Sequence, residues 1–197
     1  MKKILKNKDY VDLSSFPAVK IDLKYATRNN FMGRNLYGPL SKALLHKDAA
    51  DKFQKAVEIL KREKPRWSFI VFDALRPRSA QWLMWNKVRN TPQEKYIADA
   101  GTGSPHNYGM ALDLGLVDEK GRLVDMGTEF DSFTDLSEPR LEKKFAREGR
   151  LTQRQLENRF VLRRAMMQAG FLQLPHEWWH FNALPEPEIR KKYRIQE

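Results

Sequence analysis

Cysteine is absent from the 197 residues. The chain therefore has no disulfide and no thiolate metal site, and the absence suits a reducing or an oxidising compartment equally. Histidine is scarce too, with only His46, His106, His176 and His180. Any transition-metal site must combine these few imidazoles with Asp and Glu. No apolar run approaches the ~20 residues that span a bilayer. The basic start, Met-Lys-Lys-Ile-Leu-Lys, lacks the following apolar stretch of ~7–15 residues that a secretory signal needs. The expectation is a cytoplasmic protein, or a periplasmic one if a leader has been removed. Repeats, low-complexity segments and Gly/Ser linkers are also missing, so one domain over residues 1–197 is the simplest organisation.

What the chain does have is apolar content of 41 % with five Trp, enough for a buried core. Its net charge is +11, which favours anionic partners in general. Much of that charge lies in 140–164 and 190–194. The first stretch reads as a helix with Leu156, Val161, Leu162, Ala165, Met166 and Ala169 on one side, so the basic face is read as solvated. No nucleic-acid motif accompanies the charge, and no nucleic-acid partner is expected. Nothing in the pattern specifies an oligomeric state.

Periodicity predicts a helix over 47–63, with Ala50, Phe53, Ala56, Val57 and Leu60 on one face. A buried strand over 67–72 and a helix over 79–88 follow. Thr91-Pro-Gln-Glu94 reads as a capped helix start. Strands are expected at 110–117 and 123–126 around a turn at 118–122. A long helix capped by Thr152 and Gln155 should end before Gly170. Strands at 171–174 and 177–183 around Pro175 close the chain. Helices first and hairpin strands later indicate α+β with an antiparallel sheet.

Two separated motifs concentrate the chemistry: Ser104-Pro-His-Asn-Tyr-Gly-Met-Ala-Leu-Asp113 and Glu177-Trp-Trp-His180. They put His106, Asp113 and His180 forward as three metal ligands, one zinc per chain. Three protein ligands leave the fourth position open for chemistry. Glu177, beside them, can take a proton from the activated water. Glu177 and His180 are three apart, which on an ideal strand sends them to opposite faces, so Glu177 is expected in a turn or distorted strand start. His176 is read as a structural or supporting group. Trp178, Trp179 and Phe72 are either walls of a small apolar pocket or plain core.

Further segments share the pattern: Asp22-Leu-Lys-Tyr-Ala-Thr27, Asn30-Phe31 with Gly33, Phe72-Asp-Ala-Leu-Arg-Pro77, Met126-Gly-Thr-Glu-Phe-Asp131, Asn158-Arg159 and its helix. Together with the two motifs they make the chain resemble the D-alanyl-D-alanine dipeptidases. These are zinc peptidases that include those of vancomycin resistance, within the wider zinc DD-peptidase group. The resemblance implies a central antiparallel sheet flanked by helices, the zinc DD-peptidase and hedgehog-like fold. It implies His106, Asp113 and His180 as zinc ligands and Glu177 as catalytic base. Arg76 would stabilise the oxyanion, Asp131 and Tyr25 would hold the substrate ammonium, and Ser104 would lie near its carboxylate. The implied activity is hydrolysis of the small zwitterion D-Ala-D-Ala to two D-alanines. The alternatives are a DD-carboxypeptidase acting on peptidoglycan stem peptides, and a non-catalytic zinc-fold module binding an anionic cell-wall polymer.

Overall fold

The computed structural model describes residues 2–5 and 7–197. Met1 and Lys6, part of the basic N-terminal run, lie outside the described residues. In chain order the elements are α1 (Lys2–Leu5), β1 (Tyr10–Asp12), β2 (Val19–Ile21), β3 (Leu44–His46), α2 (Lys47–Glu63), β4 (Ser68–Asp73), α3 (Arg78–Val88), β5 (Ala111–Val117), α4 (Glu142–Arg147), α5 (Gln153–Gln168), β6 (Leu172–Gln173), β7 (His180–Asn182) and α6 (Glu186–Lys192). No described helix is long and apolar enough to cross a membrane.

The fold is α+β. Its main sheet has the order β2-β4-β5-β7-β6, and β1 pairs with β3 in a separate ribbon. The expected antiparallel pairing holds for β4–β5, β5–β7 and β6–β7. It fails at one edge, where β2 runs parallel to β4. A parallel pair needs a long crossover, and residues 22–67, with β3 and α2, supply it. The sheet is therefore mixed.

The helix over 47–63 forms because its apolar residues recur at helical spacing. Ala49, Ala50, Phe53, Ala56, Val57 and Leu60 are buried along one face. They join Leu112, Leu114 and Leu116 of β5 and Leu162, Ala165 and Met166 of α5 in one core. β5 is buried along its whole length. The alternate residues Ala111, Asp113 and Gly115 face the opposite side of the sheet. A second apolar cluster, with Tyr25, Tyr37, Leu40, Leu75 and Met84, packs around α3.

Several expected elements change. The helix start at Thr91 yields only a single 3-10 turn, Glu94–Tyr96. Glu94, instead of continuing a helix, accepts the backbone N–H of Asn90 (2.6 Å), which lies at φ 64°. The strand at 123–126 reduces to one bridge between Val117 and Leu123. The basic stretch 140–164 is interrupted by Gly149 at φ 70°, which separates α4 from α5. The cap at Thr152 forms as a reciprocal pair with Gln155 (2.9 and 3.2 Å).

Candidate active site

Strand register assembles the site. Asp113 of β5 lies directly opposite His180 of β7 on one side and Asp73 of β4 on the other. Val71 pairs with Leu114, so a regular antiparallel strand would set Asp73 opposite Leu112. A bulge between Val71 and Asp73 shifts the register by one residue. That shift brings the Asp73 side chain to the Asp113 face.

His106 reaches this face from a 3-10 turn, Pro105–Tyr108. Ser104 caps the turn: its hydroxyl oxygen accepts the His106 N–H (3.3 Å), and Asn107 Oδ1 accepts the Ser104 N–H (2.7 Å). Gly109 ends the turn at φ 66°. A Cβ there would sit 2.6 Å from Tyr10 Cε1, so a side chain is excluded by space as well as by conformation.

The three expected ligand atoms converge. His106 Nε2 lies 3.1 Å from His180 Nδ1 and 3.2 Å from Asp113 Oδ1, and His180 Nδ1 lies 2.9 Å from Asp113 Oδ1. All three residues are buried. The outward ring nitrogens have acceptors: His106 Nδ1 faces the Ala74 carbonyl (2.8 Å) and His180 Nε2 faces Asn182 Oδ1 (2.8 Å). Those bonds place the ring protons outside and leave lone pairs pointing inward. Three inward acceptors at this spacing repel one another unless a cation lies among them. A tetrahedral zinc with bonds of about 2.0–2.1 Å sets its ligand atoms about 3.3 Å apart, close to what is found here. The donor set of two imidazoles and one carboxylate thus fits a metal ion. With no metal bound, protons on the His106 and His180 rings would hold the Asp113 carboxylate well below its usual range against the opposing effect of burial.

Arg76 is buried and held on several sides. Its Nε and Nη2 donate to Asp73 Oδ2 (2.8 and 2.6 Å), and Nη1 donates to Gln81 Oε1 (2.8 Å). Nη2 stands 3.5 Å from Asp113 Oδ2, and the guanidinium lies 5.0 Å over the Tyr25 ring. The Tyr37 hydroxyl donates to the other Asp73 oxygen. Asn107 Nδ2 donates to the Arg76 carbonyl (2.9 Å), tying this strand end to the His106 turn.

Glu177 sits in the bend before β7, outside the strand, so the strict two-residue alternation does not govern it. Its Oε2 lies 3.9 Å from His180 Nδ1. Burial pushes its carboxyl up to about 8, helped by the charges of Asp113 and Asp131 and opposed by His180 and Arg76. Asp131, at φ 59°, accepts the Tyr25 hydroxyl (2.7 Å). Burial also pushes Asp131 up to about 8.

These groups line one cavity of about 210 Å³ containing Tyr25, Arg76, Ser104, His106, Asp113, Asp131, Glu177, Trp179 and His180. Every expected site residue is therefore at one place. Trp179 walls this cavity, whereas Phe72 and Trp178 border a different one. His176 lines the cavity without joining the three inward acceptors, and its Nδ1 points to Glu138 Oε2 at 3.7 Å. The sequence reading missed Asp73, Gln81, Asn107 and Asn182. Asp73 had a readable signal, a carboxylate three residues before Arg76. Asn107 stood inside the Ser104–Asp113 motif with no readable role of its own, and Gln81 had no signal.

Comparison with known proteins agrees with this geometry. A family model described as D-ala-D-ala dipeptidase, Peptidase M15, matches residues 6–196. A D-alanyl-D-alanine dipeptidase of Escherichia coli K12 is 35% identical over 179 residues, covering 90% of this chain and 86% of that protein. One from Synechocystis is 32% identical over 149 residues, covering 60% of each chain. One from Enterococcus faecalis V583 is 29% identical over 191 residues, covering 86% of this chain and 88% of that protein. With its length matched almost throughout, the chain belongs to the Peptidase M15 family and is a metallopeptidase.

Proposed function

We propose that the protein hydrolyses D-Ala-D-Ala to two D-alanines, with one zinc ion held by His106 Nε2, Asp113 and His180 Nδ1. The observation that carries this reading is the three inward acceptors meeting beside a half-buried carboxylate and a buried guanidinium in a cavity of about 210 Å³. Zinc, when bound, supplies Lewis acidity that brings the pKa of water near 7.

The chain's own groups then divide the work. Glu177 takes the proton of the attacking water and passes it to the departing amine as the amide C–N bond breaks. Arg76 offers fixed positive charge to the oxygen that becomes negative when the carbonyl is attacked. Asp73 and Gln81 hold the guanidinium in place, so little reorganisation is needed. Asp131 and Tyr25 receive the ammonium end, and the Ser104 hydroxyl is available to the carboxylate end. Trp179 closes the wall against the small side chains.

Cavity size favours the dipeptide over longer stem peptides. Sites for drug-sized ligands run to roughly 300–1,000 Å³, and this one is smaller. D-Ala release from D-Ala-D-Ala and from a stem pentapeptide, with and without chelator, tests the reading. Turnover of the dipeptide alone, lost on chelation, is expected. Glu177→Gln should keep its metal yet lose about 10²–10⁴-fold in kcat, whereas His180→Ala should lose the metal. Full activity in Glu177→Gln would overturn the assigned role, and preference for the pentapeptide would move the function to a DD-carboxypeptidase.

A further inference from the structure

The proposed ammonium anchor, Asp131, is carried by a stretch with no α-helix or strand, residues 126–136, which ends in a single 3-10 turn, Asp135–Ser137. Its backbone there is left-handed, at φ 59°. Such a residue holds its position only if the surroundings over-determine it. The inner contacts of the loop are clear. Tyr25 donates to Asp131, and Phe130 packs against Phe72, Tyr25 and Trp179 with ring centroids 5.0, 6.1 and 5.5 Å apart. Trp178 Nε1 also donates to Thr128 Oγ1 (2.8 Å).

Both ends of the loop meet one side chain of α5. Arg159 is 1% exposed. Its Nε donates to the Met126 carbonyl (2.7 Å) and its Nη2 to the Leu136 carbonyl (2.9 Å). A single rigid guanidinium thus joins the two ends of the loop. Its Nη1 faces Glu142 Oε1 (3.3 Å), which supplies the countercharge, and Glu142 is held in turn by Arg163 through both oxygens (2.7 Å each). Next to it, Asn158 Nδ2 donates to the Asp125 carbonyl (2.7 Å). Arg159 does not line the cavity, so a role in the chemistry itself is excluded.

We propose that Arg159 is a positioning residue. By fixing both ends of loop 126–136 it sets where the Asp131 carboxylate meets the substrate ammonium, and so governs substrate affinity. The inference rests on the reading of Asp131 as that anchor. A guanidinium is needed because its planar fork presents two donors in fixed directions. An ammonium is a single point that cannot serve both carbonyls with the same geometry.

Arg159→Lys, Asp131→Asn and the double variant, made in the full-length zinc-loaded enzyme, form the test. Metal content and steady-state kinetics on D-Ala-D-Ala are the readouts. Arg159→Lys should raise KM about tenfold, with kcat within about twofold of the parent and one metal per chain. In the Asp131→Asn background the same change should move KM less than about twofold, because the group it positions is already disabled. A fall in kcat that tracks lost metal, or an equal KM effect in both backgrounds, would assign Arg159 to general stability and overturn the proposal. An unchanged KM in Asp131→Asn alone would overturn the anchor reading first, and the proposal with it. Should Arg159→Lys fail to fold, Asn158→Ala carries the same test through its bond at Asp125. A KM effect confined to the Asp131 background supports the proposal, and an unaltered KM overturns it.

Discussion

Asp131 combines two unfavourable features in one residue. It is a half-buried carboxyl with its pKa pushed up to about 8, chiefly by desolvation, and it holds a left-handed backbone at φ 59°. A carboxyl raised in the folded chain costs stability where the unfolded chain can ionise it. Below about pH 4 both states keep the proton and there is no penalty. As pH rises from about 4 to about 8 the unfolded chain ionises while the folded one retains its proton, so stability falls. Above that the penalty is constant. Asn is neutral and tolerates the left-handed region well. In metal-stripped protein, the Tm of Asp131→Asn should match the parent near pH 4 and exceed it by several degrees at pH 8. A Tm difference that does not vary with pH would remove Asp131 as its source. Such a residue, poor for stability and placed in the cavity, is what the proposed ammonium-binding role would require the fold to tolerate.

The turn at 105–108 shows how a short element places the His106 ring. Gly109 ends it at φ 66°, with Tyr10 of β1 and the His46 backbone N of β3 packed where a side chain would be. Gly109→Ala must strain the backbone and push the β1–β3 ribbon away. A cost of about 1–3 kcal/mol is expected, together with reduced metal content because His106 shifts with the turn. Denaturant midpoint and bound-metal stoichiometry measure the two effects. A normal midpoint with full metal would show that the turn adapts freely. Gly109 stood in the sequence motif, and its freedom to turn the chain was legible there. The close approach of β1 was not, because it depends on a ribbon formed about a hundred residues earlier in the chain.

Charge is the property of the molecule as a whole that sequence states most directly. A net +11 brings self-repulsion in the compact state. Many of its ion pairs, such as Lys47–Asp9 and Lys144–Glu148, are solvent-exposed and add little. Screening should therefore raise Tm by a few degrees between low salt and about 0.3 M NaCl. The proposed substrate is a zwitterion with no net charge, so kcat/KM should stay nearly flat over the same range. A steep fall in kcat/KM with salt would point to an anionic substrate instead.

Sequence by itself determined the donor types and the class of fold. The motifs at 104–113 and 177–180 put His106, Asp113 and His180 forward as the metal set, periodicity located α2 because local spacing alone shapes an amphipathic helix, and the Thr152–Gln155 cap marked the start of α5. Only the tertiary structure decided how the donors meet. Asp73 reaches the site through a bulge in β4, Asp113 and His180 become neighbours through the β5–β7 register, and Asn182 orients His180 from two positions along the same strand. The parallel placement of β2 was likewise set by a crossover, and the Arg159 clamp by the packing of α5 against a loop. The physical reason is common to all of these. Spacing along the chain specifies which face a side chain takes within its own element, whereas register between strands and contacts between distant segments arise only when the elements pack together.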